Sequence, residues 1–197
     1  MKKIYFDTNQ LFYIRRIADE AEGWDYGDYT WARRMFPNNA ELVQDIRALC
    51  YIVALQYEWE LDFLASNASF SELCLRKDDR ARTTQEAWRL FAKGLNEGQF
   101  LERVPFSPNA PVGRGPRLDF IDDLADREIL RHFASKGAEV LLTTDRDILD
   151  HRDKPARLNL VVMRPNEWLN VFLQDIRGKE NAVDWLERIL FSIGASS

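Results

Sequence analysis

The feature that most constrains this chain is an alternation of short apolar runs with longer helical patterns. Residues 3–6, 61–65, 101–106, 139–143 and 158–163 are each short and mostly apolar, as strands buried in a sheet are. Between them lie stretches with apolar residues at three- and four-residue steps. The clearest is 40–59, with Leu42, Ile46, Leu49, Val53 and Tyr57 on one face. The same spacing predicts helices over 10–18, 69–77, 84–94, 118–135 and 181–193, and Pro165 stands where a further helix would open. Strands separated by whole helices are joined as parallel crossover units, and strands apolar on both sides suit a sheet covered on both faces. The expected fold is therefore α/β, a three-layer α/β/α sandwich around a central parallel sheet of five strands.

A chain of 197 residues suffices for one such domain, burying roughly 70% of its unfolded surface. The domain is expected to span 1–175, with an insertion at 20–39 and an expanded loop at 105–117. The insertion is punctuated by Gly23, Gly27, Pro37, Asn38 and Asn39, and residues 107–117 of the loop by three prolines and two glycines. Residues 176–197 are expected to form a helical extension. No apolar stretch approaches a membrane span, and only three apolar residues separate Lys3 from Asp7, too few for a signal peptide. A soluble, cytoplasmic protein without membrane contact is expected.

Composition narrows the chemistry. Cys50 and Cys74 form no ligand pair, and His132 and His151 are too few for a histidine site. If a metal is held, carboxylates hold it. The balance of 27 basic against 32 acidic residues, net −5, argues against a protein that coats nucleic acid indiscriminately.

In open parallel sheets the active crevice lies outside the carboxyl ends of the strands. Asp7 follows the first strand and Asp145 the fourth. Glu72 lies near the start of the helix after the second strand. Asp126 lies on the helix before the fourth, with Asp122 one turn earlier and Asp123 also nearby. Convergence of Asp7, Glu72, Asp126 and Asp145 is costly without a cation, because like charges raise one another's pKa. Oxygen-only ligands select a hard ion, Mg²⁺ or Mn²⁺. Such a site suits metal-assisted phosphodiester hydrolysis.

These residues resemble the motifs of the PIN domain nucleases. Ile4-Tyr5-Phe6-Asp7-Thr8-Asn9 is similar to the first motif, and Ser69-Phe70-Ser71-Glu72-Leu73 to the second. Asp126-Arg127-Glu128-Ile129-Leu130 and Gly137 through Asp145 resemble the third and fourth, with 19 residues from Asp126 to Asp145. The stretch from Leu158 to Trp168 is similar to the closing strand and helix, so the resemblance covers most of 3–175. It implies metal-dependent cleavage of single-stranded RNA, frequent homodimers and, in many bacterial members, a toxin held inactive by an antitoxin. It implies Asp7, Glu72, Asp126 and Asp145 as catalytic and metal-binding acids. Asn9 and Thr143 would be polar groups behind the ligands or facing phosphate, and Asp122 an additional ligand. The segments 20–39 and 105–117 and the sequence beyond 178 are additions relative to the small toxins.

Each residue also has a plainer reading. Asp7 and Asp145 can cap the helices that follow them. Glu72 can be a solvated helix residue, and Asp126 a surface acid paired with Arg127 or Arg131. The aromatics of 23–31 can stack on bases, anchor a partner, or fold back as core. Arg76, Lys77, Arg80, Arg82, Arg114 and Arg117 can steer a phosphate backbone or form a solvated face. Cys50 and Cys74 read as helix core positions, and His132 and His151 as ordinary polar residues. The rival function is a catalytically inactive PIN-like module that binds protein or RNA. A phosphatase of the haloacid dehalogenase type ranks last, because Asn9 stands where that chemistry needs a second aspartate.

Overall fold

The computed structural model describes residues 2–20, 29–59, 61–65, 69 and 118–176. The expected strand at 101–106, the body of the helices at 69–77 and 84–94, the loop at 105–117 and the helix at 181–193 lie outside the described residues. So do Glu72, Cys74 and the basic residues between 76 and 117.

The fold is α/β, with four described strands: β1 (Lys2–Phe6), β2 (Leu61–Leu64), β3 (Val140–Leu142) and β4 (Val162–Met163). They lie in the order β2-β1-β3-β4. β1 pairs in parallel with β2 from Lys2↔Leu61 to Tyr5↔Leu64, and with β3 from Ile4↔Val140 to Phe6↔Leu142. β4 joins beside β3, where Leu141 N donates to Val161 O at 2.9 Å. The helices are α1 (Thr8–Glu20), α2 (Thr30–Met35), α3 (Ala40–Trp59), α4 (Leu124–Lys136), α5 (Arg146–Asp150), α6 (Asp153–Ala156) and α7 (Pro165–Ile176). Among the described residues no helix is long and apolar enough to cross a membrane.

The chain divides into two compact units. The first takes Met1–Phe12 and Glu60–Val162 and holds the sheet. Ile4, Tyr5 and Phe6 are successive residues of β1, so their side chains alternate between faces, and all three are fully buried. Both faces of the central strand are therefore covered, which explains an unbroken apolar run in place of polar alternation. On one face Tyr5 and Leu141 join Ile129, Leu130 and Phe133 of α4 with Ile121, Ile148 and Leu160 in one apolar cluster. Phe6 meets Phe63 of β2 edge-on, ring centroids 5.0 Å apart.

The second unit takes Tyr13–Trp59 and Met163–Ser197. Here α3 packs against α7. Leu42, Ile46, Leu49 and Val53 are buried as their spacing predicts, as is Cys50. Asn39 caps α3, its Oδ1 accepting from Leu42 N at 3.1 Å. Pro165 opens α7 in the first turn, and Glu167 Oε2 accepts from Arg164 N at 3.1 Å, closing that helix entrance. Asp45, 1% exposed, receives Arg164 Nε at 2.9 Å, Arg164 Nη2 at 2.6 Å and Asn166 N at 3.2 Å. Glu41 adds a contact of 2.9 Å to Arg164 Nη1. Burial pushes the Asp45 carboxyl above its ordinary range, and the Arg164 and Asn166 hydrogen bonds recover only part of that shift. Burial also opposes the Arg164 cation, yet Asp45, Glu41 and Glu167 together hold its pKa above the ordinary value. The two shifts pull opposite ways on one pair. A guanidinium stays charged throughout the range a protein tolerates, so the pair titrates at the carboxyl.

Three elements differ from their sequence expectation. The helix expected over 118–135 begins at Leu124, because Asp123 caps it with Oδ1 accepting from Ala125 N at 2.6 Å. Asp122 therefore sits in the turn before α4, not one helical turn before Asp126. The strand expected over 158–163 is confined to Val162–Met163. Its first residues complete the turn after α6, where Leu160 N donates to Pro155 O and Asn159 adopts φ 58°. Within the insertion at 20–39, residues 30–35 form α2, and Trp31 is buried as core.

Candidate functional site

β1 and β3 are neighbours, while the chain leaving β1 runs to β2 on the opposite side. Among the described strands, the carboxyl ends of β1 and β3 therefore flank a point where the connections diverge. Open α/β sheets bind ligands at such points. Asp7 and Asp145 occupy these two ends.

Asp7 lies one residue beyond β1. Its backbone N–H makes the last rung to β3, donating to Leu142 O at 3.2 Å, and its carbonyl accepts the first helical bond of α1 from Leu11 N. The residue is 2% exposed. Oδ1 accepts from Thr8 N at 2.5 Å, and Oδ2 accepts from the Thr143 hydroxyl at 2.7 Å. Thr143 is fully buried, and the same hydroxyl accepts from Asp145 N at 2.9 Å. A single hydroxyl thus links the two aspartates: it donates to the carboxylate of one and accepts from the amide of the other. Asp145 is half-buried, and its Oδ1 accepts from Asp147 N at 2.8 Å, capping α5.

Gln10 is the polar residue of this region that sequence reasoning missed. It is fully buried in the first turn of α1. With its carboxamide turned to suit its neighbours, Nε2 donates to Leu142 O at 3.2 Å. Oε1 then accepts from Thr144 N at 3.1 Å and Thr144 Oγ1 at 3.0 Å. It ties α1 to the carboxyl end of β3. The signal available in the sequence was its place three residues after Asp7, on the helix face that Asp7 begins.

Asn9 lies in the first turn of α1 and is half-buried. Asp126 lies in the first turn of α4, half-buried, with its amide on the Asp123 cap. Asp122 is exposed. Among the described residues no three His, Cys, Asp or Glu side chains stand close enough to share a metal ion. The described geometry thus joins Asp7, Thr143 and Asp145, and it does not gather Asp126 with them into a ligand cluster. Glu72 lies outside the described residues.

His132, on α4, contacts β1. Its Nδ1 is 2.7 Å from the Tyr5 hydroxyl, and burial pushes its pKa down.

No family model matches the chain, and neither the curated proteins nor the solved structures contain a significant match.

Proposed function

We propose that this chain is a metal-dependent endoribonuclease of the PIN type, hydrolysing phosphodiester bonds of single-stranded RNA. The observation that carries the reading is the Asp7–Thr143–Asp145 link at the diverging carboxyl ends of β1 and β3. A buried carboxylate wired to a second aspartate is an expensive arrangement, and a ligand site gives it a purpose. The donor set is oxygen alone, which fits Mg²⁺ or Mn²⁺. Mg²⁺ is commonly held by one or two carboxylates, with water and substrate phosphate completing its shell. Asp7 and Asp145 would hold the ion, with Asp126 and Glu72 as further ligands or water-orienting groups and Asp122 in reserve. A bound metal would supply a water of lowered pKa and offset charge on the phosphate. Thr143 orients Asp7 and fixes the Asp145 backbone, and Gln10 holds α1 against the β3 end.

The reading extends to a five-stranded sheet within a three-layer sandwich, the run at 101–106 supplying the fifth strand. It also extends to a cytoplasmic location, a homodimer and an antitoxin-type protein inhibitor. One observation favours the rival, a non-catalytic PIN-like binding module: Asp145 already serves as the cap of α5.

Thermal melts separate the two. Wild type in chelator, then in Mg²⁺ or Mn²⁺, is compared with Asp7→Asn/Asp145→Asn. A ligand at 100 times its dissociation constant adds about 2.7 kcal/mol, which a melt resolves. The nuclease reading expects metal to raise the wild-type midpoint and leave the variant unmoved. Equal indifference in both proteins would favour the binding module.

A further inference from the structure

Outside the acidic site, the second unit carries a cluster of arginines and tyrosines. Tyr29 precedes α2, and Arg33 and Arg34 occupy the last turn of that helix, both exposed. The Arg33 guanidinium lies 5.4 Å from the Tyr29 ring centroid. Arg47, reaching from α3, lies 5.5 Å from the Tyr29 ring and 5.5 Å from the Tyr51 ring, and donates to the Tyr51 hydroxyl at 3.2 Å. The acids on the same stretch, Glu41 and Asp45, both contact Arg164. Among the described residues no carboxylate forms an ion pair with Arg33 or Arg34.

We propose that Tyr29, Arg33, Arg34, Arg47 and Tyr51 form a docking surface for single-stranded RNA. The exposed arginines would take phosphates, and the tyrosine and guanidinium planes would take bases by stacking. Positive charge interleaved with aromatic rings is how single strands are bound without sequence preference. Guanidinium matches phosphate in geometry as well as charge. An acidic protein would satisfy the arginines, but only a nucleic acid also brings flat bases to the tyrosine and guanidinium planes. The choice of RNA over other single strands rests on the nuclease reading above. The plain alternative is that Arg33 and Arg34 only complement the α2 carboxyl terminus.

The test is fluorescence anisotropy of a short, 5′-fluorescein-labelled single-stranded RNA of mixed sequence, titrated with the full chain in chelator over a series of salt concentrations. Arg33→Gln/Arg34→Gln is compared with wild type, with a thermal melt of each to show that folding is unaltered. Loss of two phosphate contacts should weaken binding about tenfold and lower the slope of log affinity against log salt by about 1.4. Tyr29→Phe keeps the ring and should bind as wild type, whereas Tyr29→Leu should lose about fivefold or more. Absence of wild-type binding, or an arginine variant with unchanged affinity and slope, overturns the proposal. Adding Mn²⁺ to the wild-type complex keeps the two readings distinct. RNA that is bound at this surface but never cut removes the nuclease and leaves the docking surface standing.

Discussion

Thr143 is the side chain on which the site's geometry most depends, because its one hydroxyl serves both aspartates. Thr143→Val keeps the shape but leaves a buried carboxylate oxygen and an amide without their partner. It should destabilise the fold by about 1–3 kcal/mol in urea denaturation, and Thr143→Ser should restore most of the loss. Equal stability of Thr143→Val and wild type would show that the link has no weight. His132 supplies a pH dependence. Burial lowers its pKa below the ordinary 6.5, so the folded state favours the neutral ring. The unfolded chain binds the proton more readily, so this contribution is present above pH 6.5 and fades as pH falls from there through the depressed folded value. The wild-type urea midpoint should therefore fall more between pH 7.5 and 5 than that of His132→Gln, and parallel profiles would contradict it. At this scale the sequence made Asp7 and Asp145 visible, since each ends an apolar run. It could not show Gln10 or the Thr143 bridge, because both depend on β1 and β3 being neighbours across more than a hundred residues of chain.

Elements were legible where local signals were strong. The three- and four-residue spacing of α3 gave both its ends, and Pro165 marked the entrance of α7. Elements were misjudged where capping decided the outcome. Periodicity continues backward through Leu118 and Ile121, but both are buried as a turn packed under α4, and Asp123 starts the helix. Arg127 Nε reinforces that turn by donating to Ile121 O. Asp123→Ala should cost about 1 kcal/mol by equilibrium unfolding, as loss of an N-cap does. Gly137 ends α4 at φ +60°, with open space where a Cβ would stand. The cost of Gly137→Ala is therefore conformational, about 1 kcal/mol, and Gly137→Asn should be milder because Asn tolerates the left-handed region. An alanine variant as stable as wild type would refute that assignment. The helix α2 was hidden because six residues among glycines, a proline and paired asparagines give too short a window for periodicity.

The whole molecule was legible as an alternating α/β chain with a parallel sheet, because a parallel pairing requires long crossovers and the apolar runs were spaced to supply them. The order of the strands was not legible, since nothing local states that β3 inserts beside β1 on the side away from β2. The second unit depends on a contact that no motif announces. Arg164, directly after β4, reaches Asp45 in the second turn of α3 and so joins α3 to the start of α7. Arg164→Met would strand a buried carboxylate and should cost about 3–5 kcal/mol, whereas Asp45→Leu/Arg164→Met should recover most of that loss. Additive losses in the double variant would show that the pair is not coupled.

The proposed function has Asp7 and Asp145 acting together in metal-dependent phosphodiester hydrolysis. Its most direct test is cleavage of labelled single-stranded RNA by the purified chain in Mn²⁺, with chelator as one control and Asp7→Asn/Asp145→Asn as the other. Cleavage by the wild type, stopped by chelator and absent from the double variant, is the expected result. Hydrolysis that survives the loss of both aspartates would contradict it.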